Sequence, residues 1–493
     1  MLRLIKIIKT KVNILKEVQV SFLLLIIFSI IIFNNSIVMG QNASSSKTKS
    51  EKTGWAKVPE ILSKIKPPTF PNKIFDITKY GAVEGGKVLC TNAFKKAIDA
   101  CSKTGGGEVL VPKGVFLTGA IHLKDNVNLY ISEGAVVKFS TNSKDYLPLV
   151  STRYEGMNCM NYSPLIYAYG QKNIAVTGKG LLDGQADNEH WWPWVGNKRF
   201  GWKEGMPSMR EKDNRPALAK MNDEKVPLKD RIFGEGHYLR PTMIEFYKCK
   251  DILIEGVTLK NSPFWFLHPL LSTNITIDGI KTNSIGPNTD GCDPESCSYV
   301  LIKNCIFSDG DDCIAIKSGR NNDGRIVNVP STNFVIKDCE MKDGHGGVVI
   351  GSEITGGAWN IFAEDCEMSS PNLDRAIRIK SNAKRGGVVK NIYVRNIKVG
   401  QVREAVVKLN MLYDPPEAKG YIYYPVMKNI FIENVKSEKS KYALYMDGLE
   451  QSPIDNVKII DCKFNGVESG NILKHVKGLE TKEFYINGKL YTK

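Results

Sequence analysis

No apolar stretch of this 493-residue chain is long enough to cross a membrane in comfort: the one candidate, Val20 to Phe33, has 14 residues, against the roughly 20 that a spanning helix needs. That shortage excludes a polytopic membrane protein. Histidine is scarce, with 6 residues, and no His or Cys spacing matches a structural zinc site, so no metal is expected. No cysteine follows the apolar run, which argues against a lipid-anchored bacterial lipoprotein. Basic residues are scattered rather than grouped with stacking aromatics, so no nucleic-acid partner is expected. At 42% hydrophobic and 24% charged, the composition is that of a globular protein and excludes a disordered or collagen-like one.

A basic balance is present: 67 Lys and Arg against 52 Asp and Glu, a net +15. The natural partner of such a chain is a polyanion, whether nucleic acid, an anionic membrane surface or an acidic polysaccharide. Part of this charge lies in residues 1–40, where Arg3, Lys6, Lys9, Lys11 and Lys16 face only Glu17. A basic segment, a short apolar run and the small Val38 and Gly40 before Gln41 predict a signal peptide over 1–40, the alternative being an uncleaved anchor. Cleavage leaves 453 residues at +11, exported to the periplasm or outside the cell with no stable membrane insertion. Residues 41–70, rich in Ser, Lys and Pro, predict a linker, and 71–493 the folded body.

Within that body a pattern recurs from residue 173: an Asn-like residue, two apolar residues at alternate positions, a turn residue, then two more alternating apolar residues. Copies begin at Asn173, Asp251, Asn274, Tyr299, Asn333, Asn360, Asn391, Asn429 and Asn456. Pairs such as Ile252/Ile254, Ile275/Ile277, Phe334/Ile336 and Ile430/Ile432 mark strands with one buried face. The turn residue of each copy, among them Gly256, Asn304, Asp338 and Asp461, tolerates the positive φ that bends one strand into the next. A single unit cannot bury its apolar face, whereas stacked units share a continuous core. A β-propeller needs about 40 residues or more per blade, longer than most of these spacings. The expected fold is therefore all-β, a right-handed single-stranded parallel β-helix. Phe94, Ala97, Ile98 and Cys101, at helical spacing behind Thr91 as N-cap, predict a helix over 91–102 that covers the open N-terminal end of the solenoid. The segment 185–239, rich in Trp and charge, breaks the pattern and is expected to be a long insertion.

The 11 cysteines invite a disulfide reading, but Cys305, Cys339, Cys366 and Cys462 each lie six residues after the start of a copy, where other copies carry Val257, Ile280, Ile397 and Val435. They are expected to be small core residues in an inward ladder. Cys90 with Cys101, and Cys292 with Cys297, are left as candidate bridges.

Polar clusters that a core does not require sit between the strands: Asn288-Thr289-Asp290-Gly291, Gly310-Asp311-Asp312, Gly344-His345-Gly346 and Arg378-Ile379-Lys380. Asp312 follows Asp290 by 22 residues, His345 follows Asp312 by 33 and Arg378 follows His345 by 33. Each cluster thus falls on a successive coil, and coils stack about 4.8 Å apart. Three carboxylates are then expected to meet, with Gly310 permitting the bend that turns Asp311 and Asp312 toward one site. Crowded carboxylates push one another's proton affinities apart, which supplies the acid and the base that glycosidic-bond hydrolysis requires.

In this order and spacing the clusters resemble the signature of the polygalacturonases, family 28 of the glycoside hydrolases. Further similarity runs through Tyr80-Gly81-Ala82, Arg240-Pro241, Asn261-Ser262-Pro263 with Trp265, and Lys317-Ser318-Gly319. The resemblance implies inverting hydrolysis of α-1,4-linked galacturonate in pectin, without a cofactor. It implies Asp311 as the general acid, and Asp290 and Asp312 as the carboxylates that activate water, with about 6.5–9.5 Å between acid and base. It further implies His345 as support for the acid, Asn288, Arg378 and Lys380 as ligands of the substrate, and Tyr413 as a ring for sugar stacking. Lys317 to Gly324 resembles bacterial exo-acting members more than fungal endo-acting ones. Trp residues between Trp191 and Trp202, with Lys198, Arg199 and Lys203, suit the stacking of sugars in a pocket closed by the insertion. Hydrolysis of rhamnogalacturonan or xylogalacturonan, lyase action on the same fold, and a binding protein without catalysis are the alternatives. His268 is expected to be structural.

Overall fold

The computed structural model describes residues 54–492, so the expected signal peptide and the first part of the linker lie outside the described residues. Parallel strands stack coil upon coil into a right-handed β-helix. One line of register runs Ile174, Ile252, Ile275, Val300, Phe334, Ile361, Ile392, Ile430, Val457 and Leu479, each directly opposite the next. All but Leu479 are almost wholly buried. A fully buried side chain of this kind contributes roughly 1.5–3 kcal/mol, so the repeated apolar pair is what makes the coils stack.

The Asn-like residue that opens each copy has a backbone role. Asn274, Asn333, Asn391 and Asn456 have φ of 56°, 61°, 57° and 50°, the left-handed region that Asn tolerates through local hydrogen bonding. Their amides also form a ladder, Asn360 to Asn333 at 3.1 Å, Asn429 to Asn391 at 3.0 Å and Asn456 to Asn429 at 2.8 Å. Cys305, Cys339, Cys366 and Cys462 are buried at their expected inward positions. Every described cysteine is a buried free thiol, so neither Cys90/Cys101 nor Cys292/Cys297 is bridged.

Two short helices from the N-terminal part of the described chain pack on the solenoid. Helix α1, Val58–Lys64, lies on the outer face, where Val58, Ile61 and Ile65 pack with Val335 and Phe362. Part of the segment expected as a linker over 41–70 is helical: Val58, Ile61 and Ile65, spaced by three and four residues, give Val58–Lys64 an amphipathic face. Helix α2, Thr91–Lys103, caps the core with Phe94, Ala97, Ile98 and Cys101. Its N-cap is Cys90 rather than Thr91, whose hydroxyl instead accepts a hydrogen bond from the Gly119 amide at 2.7 Å.

A second line of parallel strands forms a floor sheet: Ile166–Tyr169, Ile244–Tyr247, Leu267–Leu270, Ile314–Ile316, Val348–Ile350, Arg375–Lys380 and Ala405–Asn410. Two segments cover its N-terminal half. One is an antiparallel hairpin, Val150–Tyr154 with Met157–Asn161, which the sequence reading did not anticipate. The other is the 185–239 insertion, which contains helix α3, Arg215–Asp223. Tyr154, Met157, Val195, Met209, Leu218, Phe233 and Trp265 form a separate small core between them. Among the described residues no helix is long and apolar enough to cross a membrane.

Candidate active site

Three expected carboxylates converge where the floor sheet emerges from under its cover. Side-chain oxygens of Asp290, Asp311 and Asp312 lie within 4.8 Å of one another. The pairing register shifts between Phe307 and Ser308, and Gly310 follows in a space with no room for a side chain: a Cβ there would lie 2.1 Å from the Gly286 carbonyl. This local bend lets the adjacent Asp311 and Asp312 both reach the site. These oxygen-to-oxygen separations are shorter than the roughly 6.5–9.5 Å expected between acid and base, and Asp311 and Asp312 are neighbours in sequence rather than residues of successive coils.

Cations surround the cluster on the same and following coils. His345 Nδ1 is 2.9 Å from Asp311 Oδ1. Lys380 Nζ donates to Asp312 Oδ2 at 2.6 Å and Arg378 to Asp312 Oδ1 at 3.3 Å. Tyr413 faces both, its ring 5.3 Å from Lys380 Nζ and 5.8 Å from the Arg378 guanidinium. Asn288 lines the cavity, but its Oδ1 accepts from buried Arg240 at 2.8 Å, so it also anchors its loop.

These neighbours separate the proton affinities. Asp290 is raised well above the ordinary carboxyl value by burial, with Asp293 and Asp311 adding repulsion. Burial acts the same way on Asp312, but Lys380 and Arg378 outweigh it and hold the group ionised. Asp311 is likewise lowered, because the His345 hydrogen bond overcomes its burial, and His345 is raised by that same bond. The His345–Asp311 bond thus favours a proton on the imidazole beside an ionised Asp311, while Asp290, an expected base, is the carboxyl whose proton affinity is raised. The three oxygens are close enough to share a cation, yet Lys317, Lys380, Arg378 and His345 already supply positive charge around them.

Several residues of the site escaped the sequence reading. Asp293, three residues after Asp290, is buried and pushed up to about 7, by burial first. Lys317 is inserted between Asp293 at 3.1 Å, Glu353 at 3.3 Å and Asp290 at 3.8 Å, and its ammonium lies 4.7 Å from the Trp265 ring. Beyond Lys317 the cavity ends in a wall of ion pairs joining distant segments. Glu155 of the hairpin accepts from Arg215 of α3 at 2.6 Å and from Arg320 at 2.7 Å. Glu417 accepts from Arg320 at 2.9 Å and from Arg385 at 2.6 Å. Helix α4, Asn321–Val327, adds Asp323, which pairs with Arg231 at 2.6 Å. Residues so far apart in sequence give no local signal of meeting.

The insertion reaches the site differently from the expectation. Trp191 and Trp192 are buried against the core, and Trp202 Nε1 donates to the Met206 carbonyl at 2.7 Å. Trp191 and Trp192 thus brace the insertion rather than offering open sugar platforms, because their apolar surface is better buried than exposed, whereas Trp202 stays half-exposed. What the insertion adds to the cavity is Arg215, and on the opposite side of Asp311 it adds Val195, Arg199 and Phe200. His268 is structural as expected: it is buried, with Nδ1 3.0 Å from Glu245 and Nε2 3.0 Å from Glu295.

Comparison with known proteins is consistent across the chain. Residues 234–483 match the model of the glycosyl hydrolases family 28. A probable polygalacturonase of Vitis vinifera is 30% identical over 401 residues, spanning 78% of this chain and 72% of that protein. An exo-poly-alpha-D-galacturonosidase of Dickeya chrysanthemi is 26% identical, over 81% of this chain and 69% of the relative. The crystal structure of a hyperthermoactive exopolygalacturonase from Thermotoga maritima is similar at 42% identity and a TM-score of 0.85, covering 88% of this chain and 96% of that one.

Proposed function

This chain belongs to family 28 of the glycosyl hydrolases, and we propose that it hydrolyses α-1,4-galacturonosidic bonds of polygalacturonate from one end, releasing galacturonate. The single observation that carries the exo reading is the wall of Glu155, Arg215, Arg320, Arg385 and Glu417 across the cavity. A polymer cannot thread through such an end, so it admits a terminus. The cavity of about 200 Å³ is smaller than the roughly 300–1,000 Å³ of a site for a drug-sized ligand, which suits one sugar.

In this reading Arg378 and Lys380 take the carboxylate of the sugar on the polymer side, and Tyr413 stacks beside it. Asp311 delivers the proton it shares with His345 to the glycosidic oxygen as the anomeric C–O bond breaks. Asp312, ionised at rest, accepts a proton from the attacking water, and Asp290 orients that water through the proton it holds. One water is consumed and two new hydroxyl groups result. Inversion is proposed from the family resemblance, since the close carboxylate spacing does not itself select it. Export through the 1–40 segment completes the proposal and predicts the mature chain outside the cytoplasm by fractionation.

The test is chromatography of the products from polygalacturonate, with the first-formed anomer followed by NMR. Galacturonate present from the earliest times, with slow loss of viscosity and the β anomer first, is expected. Early intermediate oligomers with a rapid fall in viscosity would overturn the exo reading, and an α anomer formed first would overturn inversion.

A further inference from the structure

If a chain end occupies the walled cavity, the remainder of the polymer has to leave over the open half of the floor sheet. There the register places three outward side chains in line: Arg378 lies directly opposite Lys408, and Lys408 directly opposite Tyr445. Like charges directly opposed in a ladder are destabilising, yet two cations face each other here, with Arg375 and Arg403 on the same rim. Acids within the cluster hold Lys408 in place without removing the positive excess: Lys408 pairs with Glu404, and Arg375 pairs with Glu404 and Asp374. Burial, then the neighbouring Arg375 and Arg378, lower the Lys408 pKa, a cost that an added anion would relieve. Its ammonium sits 4.3 Å from the Tyr445 ring, and Tyr442 meets Tyr445 edge-on at 5.7 Å. Both tyrosines are half-buried, so part of each side chain is accessible to solvent.

We propose that Lys408, one coil beyond Arg378, and Tyr445, one coil further, form a further uronate-binding site that holds the third sugar of the chain counted from the walled end. The step of about 4.8 Å between coils is comparable to the advance of one sugar in a 1,4-linked chain. Lys408 supplies the cation for the carboxylate and Tyr445 the flat surface for the ring, the pairing of charge and aromatic that an acidic sugar needs. The inference rests on the proposed hydrolysis of polygalacturonate and adds a chain-length preference to it.

The experiment compares kcat/KM on di-, tri- and tetragalacturonate for the wild type, Lys408→Met, Lys408→Arg and Tyr445→Leu. Wild-type kcat/KM is expected to rise about tenfold from two to three units, equivalent to ~1.4 kcal/mol. Lys408→Met and Tyr445→Leu lose most of that rise, with a smaller loss on digalacturonate, and keep the wild-type melting temperature; Lys408→Arg retains it. Added salt erodes the rise in the wild type and has little left to erode in Lys408→Met. Equal losses on both lengths, or no loss on either, would overturn the site. Trigalacturonate binding to Asp311→Asn with and without Lys408→Met reads the same site without turnover: about tenfold weaker binding in the double variant is expected, and equal binding would overturn it. A wild type that cleaves none of these oligomers while that binding difference persists would sink the hydrolytic reading and leave the uronate site standing.

Discussion

The two halves of the floor sheet share one backbone and one register, and both carry charged side chains on the outward face. In the N-terminal half, Glu245, His268, Asp293 and Glu295 are fully covered by the hairpin, the insertion and Trp265. In the C-terminal half, Arg378, Lys380 and Lys408 keep 8–12% of their side chains exposed. Covered charges have to satisfy one another: His268 bridges Glu245 and Glu295, and Arg153 donates to Glu295 at 2.5 Å. Charges at the cover's edge can keep part of their capacity for a ligand. The same kind of row thus becomes structure or site according to what lies over it, and the boundary falls at Asp290 and Asp312.

The sharpest contrast between the halves is catalytic. Replacing Asp311 with Asn keeps its shape but removes the proton it delivers, so kcat should fall by about 10²–10⁴ with the melting temperature unchanged; near wild-type turnover would break the assignment. In the covered half the expected effect is on folding. Glu295→Ala leaves Arg153 buried without its carboxylate and His268 with Glu245 alone, and chemical unfolding should show a loss of roughly 3–5 kcal/mol, whereas a loss below about 1 kcal/mol would mean that water reaches this cluster.

Titration separates the halves again. Although burial opposes it, hydrogen bonds to Glu245 and Glu295 hold His268 up to about 9, above its unfolded value of about 6.5. Its stabilising contribution is then complete below about 6.5 and lost as pH rises through about 9. His268→Gln should flatten unfolding free energy against pH across that window, and an unchanged slope would refute the imidazolium. His345, also raised, acts at the open edge, so its loss of a proton at higher pH should remove activity rather than stability. In His345→Gln that alkaline limb of kcat is expected to disappear.

Smaller effects belong to the binding edge and to the outer wall. Arg378→Ala should raise KM for polygalacturonate about tenfold, the equivalent of ~1.4 kcal/mol, with a minor change in kcat; Lys380→Ala should also lower kcat, because Asp312 loses its closest cation. On the outer wall Ile61→Ser should cost about 1–2 kcal/mol of local packing, visible as lost hydrogen-exchange protection in α1 with unaltered turnover.

Much of the molecule was legible in the chain because stacking converts sequence spacing directly into proximity. The alternating pairs after Asn274, Asn333 and Asn391 marked the coils, Cys305, Cys339 and Cys366 marked the inward ladder, and the three Asp residues could be placed together from their spacing. The proton distribution was not legible. That Asp290 rather than Asp311 favours the proton depends first on the burial of Asp290, then on the charge of Asp293 near it, and on His345 reaching Asp311. Nor could the Trp residues of the insertion be assigned to packing, since Trp191 and Trp192 have the same chemistry whether they face a sugar or a core.

The sequence by itself determined the repeat, the β-helix and the meeting of Asp290, Asp311 and Asp312, because those follow from period and from a nearly constant rise per coil. Only the tertiary structure decided where the cleft ends. The wall joins Glu155, Arg215, Arg320, Arg385 and Glu417, which come from the hairpin, the insertion and three later loops that obey no repeat. Their meeting is set by the packing of Met157, Leu218 and Phe233 over the floor, and packing between segments of unrelated length leaves no period to read.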